Sequence, residues 1–183
     1  SIGCKAIVLC PNNDVNDKRN PEEIFKETVK ALKAFGPLFQ DSSMQGYLEP
    51  LGFEECSLRS IVTTMKAIQE SDCPVYKIVH DTFHHHIGPD TFDTIKNDYN
   101  ISYTGLIHIS GVECNIPVKE YRDNHRVLVT AQDRLQTKKQ IELLLKLGYT
   151  GNISFEPFSQ KVQEMEIEKI KSAINHSIEY ISK

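Results

Sequence analysis

No apolar run in this sequence approaches the roughly 20 residues that span a bilayer, so no membrane-crossing helix is expected. No block of Lys and Arg occurs and the formal net charge is −4, so the basic face of a nucleic-acid binder is missing. The five cysteines (Cys4, Cys10, Cys56, Cys73 and Cys114) are odd in number and form no CxxC pair. That is the usage of reduced thiols, not of a disulfide framework, and it points to a cytoplasmic protein. Ser1-Ile2-Gly3 lacks the basic-then-apolar pattern of a signal peptide. An initiator Met is also missing, as in a fragment or a processed product. The glycine-rich signatures of dinucleotide and P-loop sites are absent, and so is the GxSxG of the α/β-hydrolases.

What is present is a regular alternation. The chain has 183 residues, 39% of them hydrophobic, enough for one domain with a sizeable core. Lys5–Cys10 is a short β-branched run halted by Pro11-Asn12-Asn13 and reads as a buried strand. Asn20-Pro21-Glu22-Glu23 opens a helix, with a cap residue, Pro in the first turn and acids beside it. Its buried stripe is expected at Ile24, Val29, Leu32 and Phe35, and its end at Gly36-Pro37. Gly46–Phe53 reads as strand then loop, Ser57 as the cap of a second helix, and Tyr76–His80 as a third strand. A short helix near Phe92–Lys96 and a strand at Leu106–Ser110 follow. A long loop then carries Pro117 and Arg126. Gln136–Leu147 is an amphipathic helix stopped by Gly148, Asn152–Phe155 a fifth strand, and Glu164–Ser182 a closing helix. Strand and helix alternate about five times, which predicts parallel βα units in an open doubly wound sheet or a (βα) barrel.

Four polar residues each end a predicted strand: Glu49, Asp81, His108 and Glu156. In parallel βα proteins ligands bind at that end of the sheet. Singly, such an acid is ordinarily a helix cap or a solvated loop residue, and a lone His a satisfied core residue. Jointly they are harder to dismiss, because three converging carboxylates repel one another unless a cation joins them. Three oxygen ligands and one imidazole suit a divalent ion: Mn²⁺, Mg²⁺, Co²⁺ or Zn²⁺. Neighbours in His84-His85-His86 point in different directions, and His84, one turn beyond Asp81, is the one expected at the site. His80 should face the opposite side of its strand. Arg126 is either a clamp for an anionic or hydroxyl group or a surface residue. Of the cysteines, only Cys114 is expected near the site.

The segments YLEPLGF (Glu49), VHDTFHHHIG (Asp81, His84), GLIHISGVE (His108), DNHRVLV (Arg126) and GYTGNISFEPF (Glu156) carry a resemblance through nearly the whole chain. In order and spacing they resemble the xylose isomerase-like TIM-barrel family of sugar phosphate isomerases and epimerases, and within it the inosose (2-keto-myo-inositol) isomerases most of all. The resemblance implies a (βα)8 barrel of which residues 1–183 supply one partial domain, strands four to eight. It implies one divalent metal on Glu49, Asp81, His108 and Glu156. Glu49 and Glu156 would move a proton next to a carbonyl through a metal-stabilised enediolate, while His84, Arg126 and Glu55 would contact a sugar or polyol substrate. The implied activity is a sugar isomerase or epimerase in carbohydrate metabolism, including inositol catabolism.

Two features depart from the family pattern. Many members follow the loop Arg with Pro-Gly-acidic-Gly, where this chain has Val129-Thr130-Ala131-Gln132. A barrel also needs eight strands and about 250 residues, so five strands alone are expected to leave open edges and a poorly stable chain. A homo-oligomer is among the expected states. Three other readings compete: a dehydratase acting on a similar keto-polyol, an endonuclease IV-like barrel, which needs more histidine ligands and a basic face, and a non-catalytic protein.

Overall fold

The computed structural model describes residues 3–183. Five parallel strands form one sheet: β1 (Ala6–Leu9), β2 (Gln45–Leu48), β3 (Tyr76–Asp81), β4 (Thr104–Ile109) and β5 (Asn152–Phe155). Their order in space equals their order in the chain. A doubly wound sheet reverses order at a switch point; this one does not. The helices between the strands are α1 (Pro21–Asp41), α2 (Ile61–Ser71), α3 (Thr82–Ile87), α4 (Phe92–Asp98) and α5 (Thr137–Lys146), and α6 (Gln160–Gln163) and α7 (Ile167–Ser182) follow the last strand. The result is a half-barrel of (βα) units. Among the described residues no helix is long and apolar enough to cross a membrane.

Three boundaries differ from expectation, each for a physical reason. α1 starts as predicted, with Asn20 and Glu23 forming a reciprocal capping box and Pro21 in the first turn. It does not stop at Gly36-Pro37 but runs to Asp41. Packing offsets the donor that Pro37 lacks: Phe39 meets the Tyr76 ring edge-on at 5.7 Å, and a Cβ on Gly36 would lie 2.8 Å from Cys73 Sγ. The buried stripe therefore follows Val29, Leu32 and Gly36, and Phe35 turns outward, 51% exposed. The cap of α2 is Ser60, not Ser57, because Asp90 takes the Ser60 hydroxyl and the Ile61 amide and fixes the start there. The closing helix, expected from Glu164, begins at Ile167, and a separate short helix, α6 (Gln160–Gln163), precedes it. Between Asp81 and His86, where no helix was foreseen, α3 forms on an Asp81 cap.

One register detail aims the site. Ile78 pairs with Thr104 but Val79 pairs with Leu106, so Gly105 is the extra residue of a bulge. A Cβ there would sit 2.7 Å from Lys77 Cβ and 2.8 Å from Tyr47 Cζ, so only glycine fits. After the bulge Asp81 pairs with His108, which sets both side chains level at the strand ends. The main core lies between sheet and helices, with Leu48, Ile78, Ile107 and Ile109 against α2 and α5. A smaller cluster of Phe53, Phe83, Val112, Tyr121 and Leu135 anchors the long loop after β4.

Candidate metal centre

Glu49 follows β2, Asp81 ends β3, His108 lies in β4 and Glu156 follows β5. Ladder bonds extend past the strand ends: the Glu49 amide donates to Leu9 O at 3.0 Å and the Glu156 amide to Ile109 O at 2.8 Å. The side chains converge, with one ligand atom from each of the four within 4.8 Å of all the others. Three carboxylates and one imidazole, drawn from four adjacent strands, fit a small divalent cation in number and in chemistry.

Two cations of the chain itself stand among these carboxylates. His108 Nδ1 lies 2.8 Å from Glu49 Oε1 and 3.3 Å from Glu156 Oε1. Burial opposes its charge, but the hydrogen bonds and charges of Glu156 and Glu49 prevail and push the imidazole up to about 10. Glu49, 5% exposed, is raised by burial against the pull of His108. Arg126, 1% exposed, donates to Asp81 Oδ2 at 2.5 Å and to Glu156 Oε2 at 2.7 Å. Burial would raise Asp81, yet the Arg126 charge and the helix-cap bonds hold it below the usual carboxylate range. Three carboxylates against two cations leave one negative charge; a divalent ion beside a neutral His108 would leave none.

The other expected residues divide. His84 is buried, and its Nδ1 accepts the Gly52 amide at 3.3 Å, so a neutral ring carries its proton on Nε2. A Cβ on Gly52 would come 2.2 Å from His84 O, which is why glycine stands there. Burial lowers the His84 pKa. Glu55 is not brought to the four; it lines a separate cavity of about 230 Å³ with Phe53, Tyr121 and Arg122. His80 points away from the centre, as expected, toward Gln140 of α5 at 2.9 Å. Cys114 packs at the edge of the loop cluster.

Two participants escaped sequence reasoning. Cys10 follows β1 and its Sγ lies 4.0 Å from Glu49 Oε2. Burial and the charges of Glu49 and Glu156 push its thiol up to about 11. The strand-end rule that finds the other four would have found it too. Asp123 takes Arg126 Nη1 at 3.2 Å; nothing in its local sequence marks it. A cavity of about 370 Å³ lined by Cys10, Glu49, Arg19 and Phe35 opens beside the centre.

The model of the xylose isomerase-like TIM barrel family matches residues 1–183. No curated protein matches the chain. Among solved structures, a xylose isomerase domain containing protein of Salmonella typhimurium LT2 is 36% identical with a TM-score of 0.92, covering 100% of this chain and 65% of that one. The IolI protein, solved with a zinc atom, is 20% identical with a TM-score of 0.86, over 98% and 64% of the two chains. The 3-keto-D-glucoside 4-epimerase YcjR of E. coli is 18% identical with a TM-score of 0.70, over 96% and 64%. These last two share the fold; the chain spans less than two thirds of all three. With the family model matching from end to end, and a 36%-identical relative superposing along its whole length, the chain belongs to the xylose isomerase-like TIM barrel family.

Proposed function

We propose that this chain carries the metal-binding part of a sugar or keto-polyol isomerase or epimerase. The observation that supports it is the convergence of Glu49, Asp81, His108 and Glu156 at one end of the sheet. Those four would hold one divalent ion. When bound, the ion draws electron density from a substrate carbonyl and so acidifies the neighbouring C–H. The protein residues do the rest. Glu49 and Glu156 reach the centre from β2 and β5, with β3 and β4 between them. Two carboxylates on separate flanks suit removal of a proton on one side and its return on the other. His84, with its tautomer set by Gly52, offers an Nε2–H donor for a substrate oxygen. Glu55 is a further substrate contact only for a substrate that extends into its neighbouring cavity. An inosose is the substrate that the sequence resemblance suggests. The zinc of IolI and the keto-sugar chemistry named for YcjR agree with the reading.

The test is solvent exchange. With Mn²⁺ and an inosose in deuterated water, the wild type should place deuterium on the carbon next to the carbonyl and yield an isomer without loss of water. Glu156→Gln keeps an oxygen ligand but removes the base, and should lose about 10²-fold or more of the exchange. A dehydrated product would replace the isomerase reading with a lyase. Conversion without deuterium would remove the carboxylate proton shuttle.

A further inference from the structure

A guanidinium has five N–H donors. In Arg126 four of them are spent inside the protein. Nε donates to Ser110 Oγ at 3.1 Å and Nη1 to Asp123 Oδ1 at 3.2 Å. Nη2 donates to both Asp81 Oδ2 and Glu156 Oε2. Its faces are covered as well: the Phe83 centroid lies 5.0 Å from Cζ and that of Phe158 4.9 Å. The backbone is pinned with equal care. Val127 pairs with Gly111 in a two-way bridge, and Arg126 O accepts the Ser159 amide at 2.8 Å. A side chain that is 1% exposed, with one Nη1 hydrogen unspent, is badly placed to grip a ligand that enters from solvent.

It is well placed for another task. Nη2 is shared between two carboxylates on different strands, and Nε reaches the residue that follows β4. Asp81 is held from its other side too, because Oδ1 accepts the amides of Phe83 and His84, both at 2.8 Å. Each bond consumes one lone pair and fixes the plane in which the others point. A carboxylate steadied in this way presents its remaining lone pairs in one direction, as metal ligands need.

We infer that Arg126 is a positioning residue that orients the Asp81 and Glu156 carboxylates toward the metal, and is not a substrate clamp. The inference rests on the metal site proposed above. Binding of MnCl₂ alone, followed by electron paramagnetic resonance on the purified protein, tests it without any substrate. Arg126→Ala should weaken Mn²⁺ binding by about 10- to 100-fold. Arg126→Lys, which keeps the charge but cannot fork, should fall between Ala and wild type, and methylguanidinium should restore Arg126→Ala in part. In turnover, kcat should fall more than KM rises. The Lys variant decides the matter if the Ala variant fails to fold. Unchanged Mn²⁺ affinity in Arg126→Lys, with only KM raised, would overturn the positioning role and make the residue a clamp. Wild-type protein that binds no Mn²⁺ would instead overturn the proposed function itself.

Discussion

Two polar clusters lie on opposite faces of β3, and they solve burial in opposite ways. In front, Glu49, Asp81, His108, Glu156 and Arg126 are charged, and each is met by a charge of the other sign. Behind, His80, His85 and Gln140 are buried, and among the described residues none of them makes an ion pair. Gln140 there does the work of an ion pair with neutral groups. Its Nε2 donates to Thr82 O at 3.0 Å and Leu135 O at 2.9 Å, so its Oε1 takes the proton of His80 Nε2. The alternation of a strand explains the split, because Asp81 and His80 are neighbours in sequence and face apart. The contrast separates a cluster of paired charges at the strand ends, the centre proposed above to take a metal, from a neutral one that ties strand, helix and loop together.

The largest effect should come from the charged side. Asp81→Ala removes the cap of α3 and leaves the Arg126 guanidinium with a partner missing in a buried place. Breaking a buried pair from one side costs about 3–5 kcal/mol. For a chain of this size that is a fall of roughly 6–20 °C in Tm. Circular dichroism melting measures it, and tight Mn²⁺ binding should vanish with it. A variant that melts within about 2 °C of wild type would mean that the front cluster contributes nothing to the fold.

Gln140→Leu is the matching cut behind β3. It is close in volume but strands the His80 Nε2–H and two carbonyls. Each unsatisfied buried group costs about 1–3 kcal/mol, less whatever relaxation recovers. The expected loss is about 2–3 kcal/mol in urea unfolding, with Mn²⁺ affinity nearly unchanged. If Mn²⁺ binding fell as far as in Asp81→Ala, the two clusters would be one cooperative unit and the comparison would fail.

How much of this was legible depends on where the information sits. The strands, and the four residues that end them, could be read because each lies within a few residues of its own signal: an apolar run, then a polar stop. Cys10 carries the same signal, an apolar run and then a polar stop, although the sequence pointed to Cys114 as the cysteine near the site. The Arg126 network was not legible, since Asp81 and Glu156 lie 45 and 30 residues from it and only the fold brings them together. Nor was the bulge at Gly105, which depends on what Tyr47 and Lys77 place beside it. The true end of α1 was hidden for the same reason: Gly36-Pro37 is a local stop signal, overruled by contacts with Cys73 and Tyr76 from the next turn of the barrel.

The smallest effect at neutral pH, and the most selective one, belongs to His85. Its ring packs 5.0 Å from that of His80 and 6.1 Å from Phe92, and its Nδ1 is buried with no hydrogen-bond partner. Burial first, then the nearby His80 and His86, lower its pKa to about 2. In an unfolded chain the same group titrates near ~6.5. The sign follows directly. Above that pH both states are neutral and His85 has no effect; below it the unfolded chain takes up a proton that the folded one refuses. Stability therefore falls as the pH drops from about 6.5 toward 2, by up to ~1.4 kcal/mol per pH unit from this residue alone. His85→Phe has a similar shape and nothing to protonate. At pH 7.5 its urea midpoint should match the wild type or slightly exceed it, since a partnerless polar atom is removed. At pH 5.0 the variant should be the more stable of the two, and its stability should change less with pH throughout the acid range. Parallel stability curves for the two proteins between pH 7.5 and 5.0 would show that His85 is protonated in the native state, and that the cluster behind β3 is not neutral after all.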